Sequence, residues 1–188
     1  MKKIAMALAA VAAGLLSTAG HAAGYVSGNV GAGHINIDCA GTESCKNSTT
    51  SFKVVGGYEL VDNLYGELGY VDFGKAKARV ELLGESINTT ARASGLMLGV
   101  AYQVPFGQAW FGNVRLGAVN METKLRASAA GVTATDSDTN VKAYVGFGFG
   151  YSFNQNLKLV GDADFSRAEY DGDEASVRSL SVGLRYDF

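Results

Sequence analysis

The chain has 188 residues, 47% of them hydrophobic, and a formal net charge of −2. That is enough for one domain, and the slightly acidic balance excludes a partner recognised by a basic surface, nucleic acid above all. The mean hydropathy of +0.08 hides two unlike parts: a strongly apolar N-terminus and a body in which polar and apolar residues alternate.

Lys2 and Lys3 precede an apolar run from Ile4 to Leu16 and a small-residue stretch, Ser17 to Ala22. These are the three zones of a secretory signal. The apolar run, about 13 residues, is short of the ~20 that a spanning helix needs. Cleavage after Ala22 is therefore expected, giving a leader over residues 1–22 and a mature domain over 23–188. Cleavage removes His21 and leaves His34 as the one mature histidine. Cys39 and Cys45 are the only cysteines, and export to an oxidising compartment predicts a disulfide between them. A metal site competes poorly, with no histidine beside them and only two sulfurs.

After Ala22 no apolar run is long enough to cross a membrane as a helix. The remaining spanning structure is a closed barrel, in which strands hydrogen-bond each other and need only alternate. In chain order the alternating segments are Tyr25–Ile37, Phe52–Leu60, Leu64–Phe73, Arg92–Val104, Trp110–Met121, Val141–Phe153, Leu157–Arg167 and Leu180–Phe188. The sixth places Val141, Ala143, Val145, Phe147, Phe149, Tyr151 and Phe153 on one face, with Lys142, Tyr144, Gly146, Gly148, Gly150 and Ser152 on the other. The eighth places Leu180, Val182, Leu184, Tyr186 and Phe188 opposite Ser181, Gly183, Arg185 and Asp187. The apolar faces are read as lipid-facing and the small or polar ones as lumen-facing.

Eight is an even number, as single-chain bacterial barrels require, and the connections alternate long and short. The short ones carry turn chemistry at Asp62-Asn63, Pro105-Phe106-Gly107 and Asn154-Gln155-Asn156. The only proline is thus placed in a turn, where it cannot interrupt a ladder. Both termini then fall on the periplasmic side. Tyr58, Tyr65, Tyr102, Trp110, Tyr151, Phe153, Tyr186 and Phe188 gather there as an aromatic girdle. Among the long connections, Lys77–Leu82 and Ile87–Ala93 flank Gly84-Glu85, and Thr123–Ser128 and Val132–Thr135 flank Gly131. Both pairs predict hairpins standing above the membrane.

Ten charges fall on lumen faces: Lys53, Glu59, Glu67, Arg115, Lys142, Lys158, Asp162, Asp164, Arg185 and Asp187. Unpaired charge in a narrow lumen is costly, so an ion-pair network is expected, with Glu67, Arg115, Lys142, Asp162 and Arg185 as its members. An ion path through the same residues is the alternative.

The closing segment Gly183-Leu184-Arg185-Tyr186-Asp187-Phe188 resembles the terminal strand by which outer-membrane proteins are recognised for insertion. The resemblance implies Leu184, Tyr186 and Phe188 as the insertion signal and the barrel-assembly machinery as a partner. Glu67 to Gly74 and the glycine-rich Val145 to Tyr151 are similar to strands of the outer membrane protein A-like transmembrane domain and of opacity-type surface antigens. Over essentially the whole mature chain, this implies an all-β, eight-stranded, antiparallel up-and-down barrel in the bacterial outer membrane. Peptidoglycan anchoring is not implied, because no periplasmic domain follows Phe188.

Small outer-membrane barrels that act on lipid A resemble deacylases with a His-x-Ser pair or acyltransferases with a His, Asp and Ser set. Here His34 is followed by Ile35-Asn36, and Ser27 and Ser51 are the nearest strand-end serines, so no enzyme, cofactor or metal site is expected. The acidic stretch Glu169 to Glu174 lacks the spacing of a calcium loop and reads as a solvated hairpin tip. The expected function is a surface protein: the barrel anchors, and the loops contact lipopolysaccharide, host or phage. A small porin or solute transporter is the alternative, and a lipid A-modifying enzyme a distant third.

Overall fold

A computed structural model of the chain describes residues 24–36, 44–46, 48–82, 85–129 and 132–188. The leader to Ala22 and Cys39 lie outside the described residues. The strands are β1 (Gly24–Ile35), β2 (Ser44–Lys46), β3 (Ser48–Val61), β4 (Leu64–Leu82), β5 (Glu85–Phe106), β6 (Trp110–Ala129), β7 (Val132–Ser152), β8 (Leu157–Tyr170) and β9 (Asp173–Asp187). Short β2 pairs with Lys77 to Arg79 of β4. The eight long strands run in the order β4-β3-β1-β9-β8-β7-β6-β5, and β5 pairs back onto β4, so the sheet closes on itself.

Closure is sealed where the chain's two ends meet. β1 and β9 pair antiparallel from Tyr25↔Asp187 to Ile35↔Val177. At the end of that seam Gly24 and Phe188 exchange backbone hydrogen bonds of 3.2 and 2.9 Å. Burial then alternates along each strand with the sense opposite to that of a water-soluble protein. Outward Leu98, Leu180 and Val141 are 67%, 70% and 71% exposed, while inward Lys53, Glu67, Arg115, Asp162 and Asp164 are buried. Apolar outside and charged inside is the arrangement a hydrocarbon surround selects.

The short turns mark the periplasmic end. At Asp62-Asn63, Asn63 takes the left-handed conformation, with φ of 64°, which asparagine tolerates through its short polar side chain. At the third turn Asn154 Oδ1 accepts hydrogen bonds from the backbone N–H of Asn156 and Leu157, at 2.9 and 2.7 Å. The second turn differs from expectation. Pro105 and Phe106 belong to the end of β5, paired with Phe111 and Trp110, and the reversal is Gly107 to Ala109, with Gly107 at φ of 86°. At the last rung of a strand a missing N–H interrupts nothing beyond it.

Several strands run further than the alternation of apolar residues. β4 and β5 stay paired to Leu82↔Glu85, and β6 and β7 to Ala129↔Val132. From Val141 to Val132 this extension adds about 30 Å at 3.3 Å per residue. Both expected hairpins are therefore continuous extensions of the barrel wall. β8 and β9 behave likewise where a loop was expected: they pair to Tyr170↔Asp173. The two residues between, Asp171 and Gly172, have φ of 51° and 86°, the double-positive signature of a tight hairpin turn. A register shift between Asp72 and Gly74 bends β4 as it leaves the apolar band. Gly74 has φ of 93°, and a Cβ there would lie 2.8 Å from the Thr50 carbonyl oxygen, so this bulge requires glycine.

The girdle is corrected at one position. Tyr58, Tyr102, Trp110, Phe153, Tyr186 and Phe188 are exposed on the outer face, but Tyr65 is buried. It shares the inward parity of Glu67 on β4 and packs edge-on against Tyr25, with ring centroids 5.3 Å apart. Replacing mid-strand, outward Leu98 with Arg should destabilise the barrel by about 2–4 kcal/mol, the midplane cost of a lipid-facing charge. Urea unfolding in lipid vesicles measures it; no change would put Leu98 outside the hydrocarbon.

Candidate functional site

β7 supplies the space for the site. Its outward Phe147 and Phe149 alternate with inward Gly146, Gly148 and Gly150. A Cβ on Gly148 would lie 2.2 Å from Asp162 Oδ1, on Gly146 2.9 Å from Asp164 Oδ1, and on Gly150 2.2 Å from the Phe111 ring. Any side chain here would occupy the volume that these groups fill. Eight strands leave an interior just wide enough for side chains, and the missing ones on β7 make room for Asp162 and Asp164 of the neighbouring β8 and Phe111 of the neighbouring β6.

In that space two cations and three carboxylates interlock. Lys53 Nζ lies 3.0 Å from Asp162 Oδ2 and 2.7 Å from Asp164 Oδ2. Arg115 bonds Asp162 at 2.7 Å and Glu67 at 3.0 Å. The surplus negative charge is met by neutral donors: Asn29 Nδ2 to Asp162 at 2.9 Å, and the hydroxyls of Tyr25 to Glu67 and of Tyr144 to Asp164. Buried charge on this scale is tolerable only when each group is both paired and hydrogen-bonded. Glu67 Oε2, Asn29 Oδ1, the Asn113 amide and the hydroxyls of Ser27 and Ser181 are buried with no partner among the described residues; ordered water commonly satisfies such groups.

The cluster is bounded at both ends. Toward the periplasm, the Arg185 guanidinium lies 3.6 Å from the Tyr25 ring centre and 5.0 Å from that of Tyr65, bonds Asp187 at 2.6 Å and Gln103 at 3.1 Å. Lys158 bonds Asp187 at 2.5 Å. Toward the cell exterior, Val71, Phe73, Met97, Val119, Met121 and Val177 form a buried apolar layer.

This inside-out barrel, with its wall closed by antiparallel neighbours, has a matching family profile: the outer membrane protein beta-barrel domain, over residues 4–188. The chain belongs to the outer membrane protein β-barrel family. Solved structures of the same fold include Ail, the attachment invasion locus protein of Yersinia pestis, in complex with the heparin analogue sucrose octasulfate; it is 17% identical, with 88% of this chain and 99% of that one covered, at a TM-score of 0.55. Neisserial surface protein A is likewise 17% identical, with the same coverages and a TM-score of 0.53. OprG from Pseudomonas aeruginosa is 15% identical, covering 90% of this chain and 98% of that one, at 0.52. No curated protein matches in sequence.

Of the expected network, this outer membrane β-barrel protein brings Glu67, Arg115 and Asp162 together. Arg185 stands apart in the periplasmic aromatic cluster. Lys142 is in neither group: inward on β7 opposite Val119 of the apolar layer, it is bonded to Glu169 and Glu174, the latter at 2.7 Å. Lys53, Asp164, Asn29, Tyr25 and Tyr144 are partners that the expected set omits. Parity assigns all five to the lumen, but their pairings depend on registers between strands far apart in sequence. Leu184, Tyr186 and Phe188 face outward and are exposed. Cys45 is described by its backbone alone, opposite Ala78. Outward His34 and buried, inward Ser27 and Ser51 lie on opposite faces of the sheet, so His34 meets neither of these serines.

Above the membrane Glu169 and Glu174 of the acidic stretch are already paired with cations. Glu174 bonds Lys142 and, at 2.8 Å, Arg167, and Tyr170 donates to Asp136 at 2.8 Å. The hydrogen bond from Lys142, with that from Arg167, holds the Glu174 carboxyl below its ordinary range, and the bond from Tyr170 does the same for Asp136. The same bond, from the phenol's side, pushes the Tyr170 pKa up. Depressed carboxylates contribute above their unfolded pKa, about 4, and lose the contribution as pH falls through the folded value. The raised phenol contributes below about 10 and loses it as pH rises through its folded value. Amide protection factors at the β8–β9 tip, corrected for the intrinsic exchange rate at each pH, should therefore be high from about pH 5 to 9 and fall outside that window; a flat profile would mean these contacts do not pin the tip.

The central cluster yields a second expectation. Arg115→Met should destabilise the barrel by an amount on the order of 3–5 kcal/mol, since Glu67 and Asp162 would each lose a partner in a buried site. Adding Glu67→Gln should recover part of the loss, because the amide oxygen still accepts from Tyr25 and carries no charge. Additive losses in urea unfolding would show that the two are not coupled.

Proposed function

We propose that the protein is a surface protein of the outer membrane in which the barrel is a plugged anchor and the extracellular hairpins make the functional contacts. The observation that carries this reading is the interlocked Lys53, Arg115, Glu67, Asp162 and Asp164 cluster, backed above by the apolar layer and below by Arg185 among its aromatic rings. Charge that is fully paired, with its surplus carboxylate met by neutral donors, consolidates a lumen, whereas a conducting path is better served by unpaired charge of one sign along wet walls. Ail, of the same fold, is an attachment and invasion protein by name, which agrees with an adhesive role for the hairpins here. Their outward faces carry Lys75, Lys77, Lys124 and Arg126, placed to meet lipopolysaccharide and anionic host or phage surfaces. The leader to Ala22 would direct export, Leu184, Tyr186 and Phe188 would engage the assembly machinery, and a Cys39–Cys45 disulfide would tie the first loop. No catalytic or cofactor role is assigned.

The small-porin reading has one observation of its own: the unpartnered lumen atoms of Ser27, Asn29, Asn113 and Ser181 suit a file of water. Planar-bilayer recordings separate the two. The anchor reading expects no steady conductance, and expects binding of producing cells to lipopolysaccharide or animal-cell monolayers to fall when hairpin tips are replaced by short turns. Steady single-channel currents that persist in the tip-shortened protein would replace it with the porin.

A further inference from the structure

Above the apolar layer the lumen opens into a cavity of about 430 Å³, in the size range of small-molecule sites. Its wall is built from five strands: Ile35 of β1, Ala93 of β5, Thr123 and Leu125 of β6, Ala168 of β8 and Ala175 of β9. Ile35, Ala93 and Ala168 are almost fully buried. The small residues create the volume, since alanine stands where a longer side chain would fill the mouth. Directly beneath, Met121 and Val177 are each 1% exposed and Phe73 0%, so the cavity has an apolar floor and leads nowhere.

Two further features restrict what such a cavity accepts. Thr123 is 7% exposed, and its Oγ1 finds no hydrogen-bond partner among the described residues. A buried hydroxyl left unpaired is costly, and Thr123 lines the cavity. The charges that line the cavity are already committed: Arg92 to Asp72, Glu169 to Lys142, and Glu174 to Lys142 and Arg167. A charged ligand head would have to break one of these pairs.

We propose that this vestibule is a binding site for a small, neutral, mainly apolar molecule with a single hydroxyl or carbonyl group, its apolar body against the alanine-lined wall and its polar group on Thr123. This class follows from the lining: apolar area provides the affinity, one polar side chain fixes orientation, and no free charge is on offer. The site stands apart from the anchor reading, because binding at the mouth requires no passage through the lumen.

The test uses the full mature chain in lipid nanodiscs, methyl-labelled at isoleucine and leucine, titrated with octan-1-ol, n-octane, octanoate and octylammonium. Saturable shifts of the Ile35 and Leu125 methyl signals are expected with octan-1-ol and, more weakly, octane, and not with either ion. Ala168→Phe, or Ala175→Phe from a neighbouring strand should the first fail to fold, fills the cavity and should abolish the shifts. Folding of each variant is judged by heat-modifiable gel mobility. Thr123→Val should weaken octan-1-ol about tenfold, the value of one hydrogen bond, and leave octane unchanged. The proposal is overturned if no probe gives saturable shifts, if they survive in a folded cavity-filled variant, or if an ion binds as tightly as the alcohol. Conductance plays no part in the readout, so failure here leaves the anchor reading standing.

Discussion

Everything in this structure follows from the hydrogen-bond demand of a backbone immersed in hydrocarbon. Each N–H and C=O without a partner there costs several kcal/mol, and a sheet meets the demand only by having no edge. The β1–β9 seam is therefore the decisive contact, since without it two complete strand edges would face lipid. Its antiparallel sense requires an even number of long strands in an up-and-down order, and the Gly24–Phe188 exchange carries it to the last residue of the chain. The tight turns at one end and the paired hairpins at the other are what remains once that ring is drawn.

Closure at eight strands then dictates the interior. The ring is too narrow for a large side chain at every inward position, so glycine and bulk must be complementary between neighbouring strands. On β7 the complementarity is explicit, with Gly148 under Asp162, Gly146 under Asp164 and Gly150 under Phe111. The charges these glycines admit contribute less to net stability than their number suggests, because desolvation offsets most of the attraction. Their more secure role is geometric: a ring of pairs drawn from β1, β3, β4, β6 and β8 is satisfied in one register and frustrated in a slipped one.

The parts legible in the sequence are those governed by a period of two. Outward Phe147 and Phe149, inward Lys53 and Asp162 and the run from Leu180 to Phe188 are all set by parity, which survives without knowledge of partners. Legibility fails where the period loses its contrast or where pairing is non-local. Above the membrane both faces of β4 to β9 meet water, so alternation fades although the ladders continue to Leu82↔Glu85 and Tyr170↔Asp173. The Asp171-Gly172 turn was readable from its residue types, but no apolar alternation flanks it. Tyr65 was misplaced because an aromatic near the periplasmic rim suggests a girdle, yet its parity with Glu67 already turned it inward. Lys142 passes the parity test and still belongs to another group, since height along the barrel axis is set by strand stagger, which no single segment carries.

These constraints also explain how an architecture persists at identities of 15–17%. Lipid accepts any apolar outward residue, and the lumen accepts any set of inward groups that fills the space and neutralises itself. Neither condition names an amino acid at most positions. The exceptions are places where backbone leaves no choice, such as Gly74 at its bulge and the β7 glycines beside the carboxylates, and there substitution requires a simultaneous change on the neighbouring strand. The constraint is weakest on the outward faces of the hairpins, whose ladders are held by β4 to β9 below. A rigid wall that extends into a variable rim separates stability from recognition: residues at the rim can change without disturbing the seam on which the barrel depends.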